Sequence, residues 1–411
     1  GMAVLAASSA TVTDASASFE AVSATAGPVA RGSVARVGLA TAITAVCGYA
    51  VLYLAARRLE PAGFSVFGVF WGAFGLVTGA ANGLLQESTR EVRAVQTSGA
   101  VVVGTAAGST TRPMRVAAGV GVVAAALIAA TSPLWSQHVF AEQRMLSVAL
   151  LSVGLAGFCM HATLLGMLAG DGRWSHYGSL MVTDAVIRVA VAAAAFLLGW
   201  GLVGFLWATV CGAVAWLLLL AGSATARSVA QLHTAGGVSG FLRGAGHSIA
   251  AAGASAILVM GFPVLLKATS GELGAAGGVV ILAVTLTRAP LLVPMTAMQG
   301  NLIAYFVDHR NARLRALLGP VALVGALGAV GVVAAYLIGP WLLQVAFGPE
   351  YRASGALLAW LTAAAVSIAL LTLTGAATVA AALHRAYSIG WVGATAAAAL
   401  LLCLPLDLET R

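Results

Sequence analysis

Long apolar segments, each about the length of a membrane-spanning helix, recur along almost the whole chain and are separated by short polar segments. A helix needs about 20 apolar residues to cross a bilayer, and within lipid it satisfies its own backbone hydrogen bonds. The pattern therefore predicts an all-α polytopic membrane helical bundle. Eleven spans are predicted, at residues 35–56, 64–85, 114–133, 145–169, 178–198, 201–222, 245–267, 274–299, 314–338, 355–380 and 386–405.

Composition excludes a soluble globular protein. Of the 411 residues, 60% are hydrophobic and 8% are charged, and the mean hydropathy is +0.98. The net charge of +8 belongs to the polar segments, so it does not indicate a nucleic-acid partner. The four cysteines lie far apart inside apolar segments, and the sequence has no zinc-ligand spacing, catalytic serine motif or phosphate loop. We therefore predict a protein that is not an enzyme and that has no metal or cofactor.

A weak internal repeat divides the chain into two halves. Setting residue i against residue i + 213 places the first two spans on the seventh and eighth without a gap. Because repeated halves are usual in secondary transporters, we predict two pseudo-repeated lobes, at 35–222 and 245–411, joined by a cytoplasmic linker at 223–244. Residues 1–34 are expected to form a mobile cytoplasmic segment. Most arginines outside the spans lie on the side of the N-terminus, which predicts that this side is cytoplasmic.

Arg288 is the most informative charged residue, because it lies near the centre of the span predicted at 274–299. A cation there costs about 2.5 to 3.5 kcal/mol on insertion scales, and Pro290 and Pro294 in the same span remove backbone donors. One interpretation is that Arg288 lines a central cavity and binds an anionic substrate. The other is structural, with Arg288 bonded to carbonyls that the prolines free or to a carboxylate on another helix.

The second predicted span carries five glycines at helical spacing, and polar residues continue this stripe towards the cytoplasm. Small residues at such a spacing allow two helices to pack closely. The alternative is a smooth cavity wall with a polar mouth, at which Asn82, Gln86 and Arg90 would bind substrate. Arg36 lies at the cytoplasmic end of a weaker stripe in the first span. The glycines are Gly68, Gly72, Gly75, Gly79 and Gly83.

Asp184 and Arg188 are four residues apart in the fifth predicted span, so they share one helical face and are expected to pair. Asp184 is the one acidic residue that falls well inside a predicted span. The first interpretation is a structural pair that stabilises the N-terminal lobe. The second is a proton or sodium site, because carboxylates within a membrane also form relays and cation sites.

Four segments together resemble the polysaccharide exporter branch of the multidrug/oligosaccharidyl-lipid/polysaccharide flippase superfamily. They are RLEPAGFSVFG at 58–68, QESTR at 86–90, LAGDGRW at 168–174 and FGPEY at 347–351. The resemblance implies two six-helix lobes around a cavity that opens alternately to either side of a bacterial plasma membrane. It also implies twelve spans, whereas eleven are predicted here.

The resemblance further implies a substrate, a polyprenyl-diphosphate-linked oligosaccharide that moves outward through a cationic cavity. In such flippases the first, second, seventh and eighth spans line this cavity, which nominates Arg288, Arg36 and Arg90 as substrate-binding residues. Two other functions stay open. One is export of drugs or small solutes, and the other is a non-transporting scaffold in the membrane lipid that docks envelope glycosyltransferases or a polymerase.

Overall fold

The computed structural model describes residues 31–98, 110–270, 272–308 and 313–381, with 389–390, 393–397 and 400. The predicted segment up to residue 30 and most of the eleventh predicted span lie outside these residues. Almost all described residues are helical, which confirms the all-α prediction. The helices are α1 (Arg31–Ser98), α2 (Pro113–Val139), α3 (Arg144–Gly170), α4 (Trp174–Leu198), α5 (Gly201–Cys211), α6 (Ala215–Gly222), α7 (Ala224–Ala230), α8 (Val238–Met260), α9 (Phe262–Ser270), α10 (Gly274–Asp308), α11 (Arg313–Phe347) and α12 (Gly355–Ala380).

The described helices form a multi-pass membrane bundle. Eight helices in this part of the chain are long and apolar enough to cross a membrane, if α5 and α6 are taken as one span. The bent pair α8 and α9 would make a ninth. Between α5 and α6 the chain forms one 3-10 turn, Gly212–Val214. The predicted break between the fifth and sixth spans lies elsewhere, between α4 and α5, and it is confirmed. Gly199 and Gly201 have positive φ angles there, of 71° and 59°.

Helix α1 contains the first two predicted spans, which meet at Glu60. This residue has non-helical angles, φ 56° and ψ 172°, and Pro61 follows it. Proline is tolerated at the start of a helix, where the missing N–H has no partner to lose. The sequence predicts a short connecting segment at 57–63, whereas the structure confines the departure from helical conformation to Glu60.

The seventh predicted span is interrupted rather than continuous. Helix α8 ends at Met260, α9 begins at Phe262, and their axes differ by 63°. Pro263 explains why the chain breaks here, because it has no N–H to continue the hydrogen bonds of α8 and its ring crowds the preceding turn. The N–H of Gly261 instead closes α8 by donating to the carbonyls of Ala256 and Ile257.

Helix α1 packs against α8 and α10, and thereby joins the two predicted lobes. Near Glu60, the Tyr351 hydroxyl donates to the carbonyl of Ala56 at 2.8 Å. The Tyr351 ring meets that of Phe64 edge to face, with centroids 6.3 Å apart. Next to this contact, Gly278 of α10 packs so closely against α1 that an added Cβ would meet the Pro61 carbonyl. Two of the segments that carry the family resemblance, 58–68 and 347–351, therefore pack together.

A small antiparallel ladder accompanies the helices near the predicted linker. Strand β1, Thr110–Thr111, pairs with β2, Thr234–Ala235, so that Thr110 lies opposite Ala235. The Thr111 side chain adds a hydrogen bond to the carbonyl of Gly236 at 2.8 Å. This ladder brings the beginning of α2 next to the segment that leads into α8.

Candidate transport site

Arg288 lies on α10 and faces the break between α8 and α9. Its Nη1 donates a hydrogen bond of 3.3 Å to the backbone carbonyl of Val259. The last carbonyls of a helix have no partner within that helix and carry the negative end of its dipole, so α8 ends in a suitable acceptor. The guanidinium also lies over the ring of Phe262, with Cζ 5.3 Å from the centroid. The interruption of the seventh span thus supplies both contacts of the cation.

This geometry answers part of the question that the sequence raises about Arg288. A backbone carbonyl does bind the guanidinium, as the structural interpretation expects, but it belongs to α8 rather than to the turn that Pro290 frees. Asp184 is not the partner, because its carboxylate is bonded to Arg188. Of the five guanidinium donors, one is used by Val259, and no carboxylate among the described residues pairs with Arg288. Donors therefore remain for an anionic ligand.

Asp184 and Arg188 form the predicted pair within α4. Nε of Arg188 donates to Oδ1 of Asp184 at 3.1 Å, and the two side chains are 17% and 13% exposed. The pair rests on Gly212 in the 3-10 turn of the sixth span, where an added Cβ would meet both side chains. The guanidinium also lies over the ring of Phe74, 5.6 Å from its centroid. This arrangement joins α4 to α1 and to the sixth span.

The glycine stripe of α1 packs against helices of the second predicted lobe. A Cβ on Gly79 would lie against the side chain of Ala256. One on Gly83 would meet the backbone at Ile249. The other three glycines contact the break after α8 and the start of α10. Close helix packing is confirmed along this face, while Asn82 beside it is half-buried and Gln86 is exposed.

Arg90 and Arg36 differ from Arg288 in their partners. Arg90 bonds the Glu87 carboxylate through two nitrogens, at 2.6 and 3.1 Å, and also reaches Glu91 at 2.7 Å. These carboxylates neutralise its charge, although 63% of the side chain is exposed. Arg36 is exposed and donates to the Ser175 hydroxyl at the beginning of α4, at 3.0 Å. Arg288 of α10 lies instead beside the break between α8 and α9, so each of the three nominated arginines has different partners.

Two features of the site were not identified from the sequence. The break that holds Arg288 carries a visible signal, Gly261 followed two residues later by Pro263. Glu87 also carries one, because it precedes Arg90 by three residues, a spacing that brings side chains together on a helix. The Glu87 side chain is buried against Gly244 of α8, and burial of this kind depends on a helix distant in sequence.

Solved structures with a similar fold are transporters. An inward-facing multidrug resistance MATE family transporter of the MOP superfamily aligns with a TM-score of 0.57 and 15% identity, over 88% of this chain and 83% of that one. A MATE structure in complex with MaD3S aligns with a TM-score of 0.55 and 18% identity, over 90% of this chain and 84% of that one. The chain therefore has the fold of these MATE transporter structures.

Two mycobacterial proteins are similar to this chain in sequence. The chain is 68% identical over 410 residues to uncharacterized protein Rv3630 of Mycobacterium tuberculosis (strain ATCC 25618 / H37Rv), covering 100% of this chain and 94% of the relative. It is also 68% identical over 391 residues to uncharacterized protein Rv1510 of the same strain, covering 95% and 89%. No protein-family model matches the chain. The protein belongs to the family of these mycobacterial proteins.

Proposed function

We propose that this protein flips a polyprenyl-diphosphate-linked oligosaccharide from the cytoplasmic to the outer leaflet of a bacterial plasma membrane by alternating access. Such a reaction would serve the assembly of cell-surface polysaccharide. The observation that carries the proposal is Arg288, a cation within a predicted span that lies beside an interrupted helix and has donors that the described residues do not use. The MATE fold supports alternating access, because its transporters include a structure described as inward-facing.

The charge inside the bundle favours an anionic substrate over a cationic one. Three described charged residues lie well inside predicted spans, and two of them, Asp184 and Arg188, neutralise each other. Arg288 then leaves a net positive charge. Its planar guanidinium matches the oxygens of a diphosphate, which it can bind through two parallel hydrogen bonds.

The membrane potential is a sufficient energy source for this substrate. A diphosphate with about two negative charges gains about 4.6 kcal/mol per 100 mV when it leaves an inside-negative cell. We therefore expect transport without a coupling ion at Asp184, whose carboxylate is already bonded to Arg188. Asp184→Asn protein that folds normally but does not transport would contradict this expectation.

Alternating access requires that contacts between the two predicted lobes open in turn. The bond from Tyr351 to the Ala56 carbonyl is one such contact, beside the kink of α1 at Glu60. Tyr351→Phe removes the bond and keeps the ring, so we expect a shift towards the state in which the protein is open on the side of this kink. Accessibility of a cysteine at Arg57 to a membrane-impermeant reagent would measure that shift, with Tyr336→Phe on the exposed face of α11 as the matched control.

The direct test measures lipid-linked oligosaccharide in each leaflet of cells that carry Arg288→Ala, Arg288→Lys or Arg315→Ala. Loss of a charge-assisted bond to substrate costs about 1.5 to 3 kcal/mol, so Arg288→Ala should reduce export about tenfold to a hundredfold. Lysine should restore part of it, because an ammonium keeps the charge but loses the two-pronged geometry. Arg315 is exposed at the beginning of α11 and serves as the control. Full export by Arg288→Ala protein would remove this residue from the substrate site.

Export of drugs is the second candidate, because the structure with the TM-score of 0.57 is described as a multidrug resistance transporter. Deletion of the gene separates the candidates. Lipid-linked oligosaccharide that accumulates on the cytoplasmic leaflet supports the flippase, whereas drug sensitivity without accumulation supports the exporter. If neither occurs and an envelope glycosyltransferase or polymerase loses its localisation, the protein acts as a scaffold.

A further inference from the structure

Two adjoining cavities lie between α2 and the beginning of α8, outside the site around Arg288. The larger is an apolar groove of about 720 Å³, lined by one face of α2 from Arg115 to Leu127 and by Val238 and Leu242. The smaller, of about 400 Å³, is polar and contains Arg112, Arg115 and His233. Arg115 and Val238 line both, so that a charged pocket continues directly into an apolar groove.

The length of the groove along α2 is similar to the thickness of one membrane leaflet. Arg115 and Leu127 are twelve positions apart on α2, which corresponds to about 18 Å along the helix. Half of the hydrocarbon core of a bilayer is about 15 Å. The groove is open towards the membrane, since Val123 and Leu127 are each 59% exposed. Its dimensions therefore suit an acyl chain whose headgroup lies level with Arg115.

The polar pocket carries a positive charge that the described residues do not neutralise. The ladder of β1 and β2 brings the two sides together, and Nε of Arg112 donates to Nε2 of His233 at 2.7 Å. Arg115 is exposed, and in the described part of the chain neither arginine pairs with a carboxylate. The first turn of α2 adds to this field, because it contains no acidic side chain and presents the positive end of the helix dipole.

We propose that this cavity binds one anionic phospholipid of the leaflet next to Arg115, with its phosphate between Arg112 and Arg115 and one acyl chain in the groove. Basic pockets between membrane helices on the cytoplasmic side are known to bind anionic lipid headgroups. The positive-inside rule assigns Arg112 and Arg115 to that side. The site is separate from Arg288 and does not depend on which substrate the protein transports.

The experiment compares binding of phosphatidylglycerol and phosphatidylcholine to the detergent-solubilised full chain by native mass spectrometry. Arg115→Gln removes a headgroup contact, and Gly119→Leu fills the groove, since a Cβ at Gly119 has nothing within 4 Å. Two variants serve as matched controls. Arg315→Gln changes an exposed arginine elsewhere, and Gly325→Leu lies on α11 at a position that is equally open.

We expect Arg115→Gln to weaken phosphatidylglycerol binding about fivefold and to leave phosphatidylcholine binding unchanged, because one arginine near the membrane surface contributes to anionic lipids alone. Gly119→Leu should weaken both lipids, and both control variants should bind as the unchanged protein does. Melting temperatures measured in parallel should be equal across the four variants, which separates loss of a site from loss of fold.

Several outcomes would overturn the proposal. Equal phosphatidylglycerol binding by all variants would show that the cavity is not the site. Competition by inorganic phosphate alone would indicate a site for a soluble anion. Loss of a co-purified lipid diphosphate, instead of a phospholipid, would make the cavity part of the transport route.

Discussion

Arg188 and Arg288 are both arginines within apolar helices, and the structure surrounds them in different ways. Arg188 meets a carboxylate one helical turn away, in a pair that packs on Gly212. Arg288 meets a backbone carbonyl and an aromatic ring from another helix. In the first arrangement a carboxylate neutralises the cation. In the second no carboxylate among the described residues does so, and the positive charge is available to a ligand. This geometry favours a structural role for Arg188 in the first predicted lobe, and it makes Arg288 the better candidate for binding.

The difference should appear most clearly in the response to losing a partner. Asp184→Ala leaves the Arg188 cation buried without a carboxylate, which should lower the free energy of unfolding by about 3 to 5 kcal/mol. Unfolding in mixed detergent micelles measures this change. The double variant Asp184→Ala/Arg188→Ala is the control and should recover much of the loss, because it removes both charges. A single variant as stable as the original protein would contradict a structural role for the pair.

A smaller effect is expected where the pair meets the sixth span. Gly212→Ala introduces a Cβ that would contact both Asp184 and Arg188, and overpacking of this kind costs about 1 to 3 kcal/mol. Gly222→Ala is the matched control in the same span, since a Cβ there has nothing within 4 Å. Equal melting temperatures for the two variants would mean that the contact with Gly212 does not constrain the pair.

Arg288→Ala should change stability by less than about 1 kcal/mol, in contrast to Asp184→Ala. Removing a cation from the membrane interior is favourable by about 2.5 to 3.5 kcal/mol on insertion scales, and this offsets the loss of the bond to Val259. The measurement is the melting temperature in detergent, alongside export. If Arg288→Ala protein is as destabilised as Asp184→Ala protein, the two arginines have the same structural role and the contrast disappears.

The smallest effect is expected from the ring beside Arg288. Phe262→Leu removes the cation–π contact but keeps a large apolar side chain beside the guanidinium, so it should slightly lower both stability and export. Phe262→Tyr keeps a ring at this position and should behave as the unchanged protein. If the leucine and tyrosine variants match in both measurements, the ring does not position the guanidinium.

Several elements of the fold could be read from local signals in the sequence. The predicted ends at 201–222 and 355–380 coincide with those observed, because the length of an apolar run and the break at 199–201 mark where one span stops and the next begins. The pairing of Asp184 with Arg188 was also predictable, since four residues of helix bring two side chains together without help from the rest of the chain. The all-α architecture follows from the same local rule, that backbone within lipid must bond to itself.

The partners of Arg288 could not be predicted in this way. Val259 and Phe262 lie close to it only because α8 ends at Met260 and the next helix departs at 63°. Likewise, the burial of Glu87 depends on Gly244, and the cavity beside Arg115 depends on the ladder that places Arg112 near His233. The sequence by itself determined where helices form and which charges share a face, because those properties depend on neighbours within one turn. The tertiary structure alone decided what surrounds Arg288, Glu87 and Arg112, because those contacts join segments far apart in the chain.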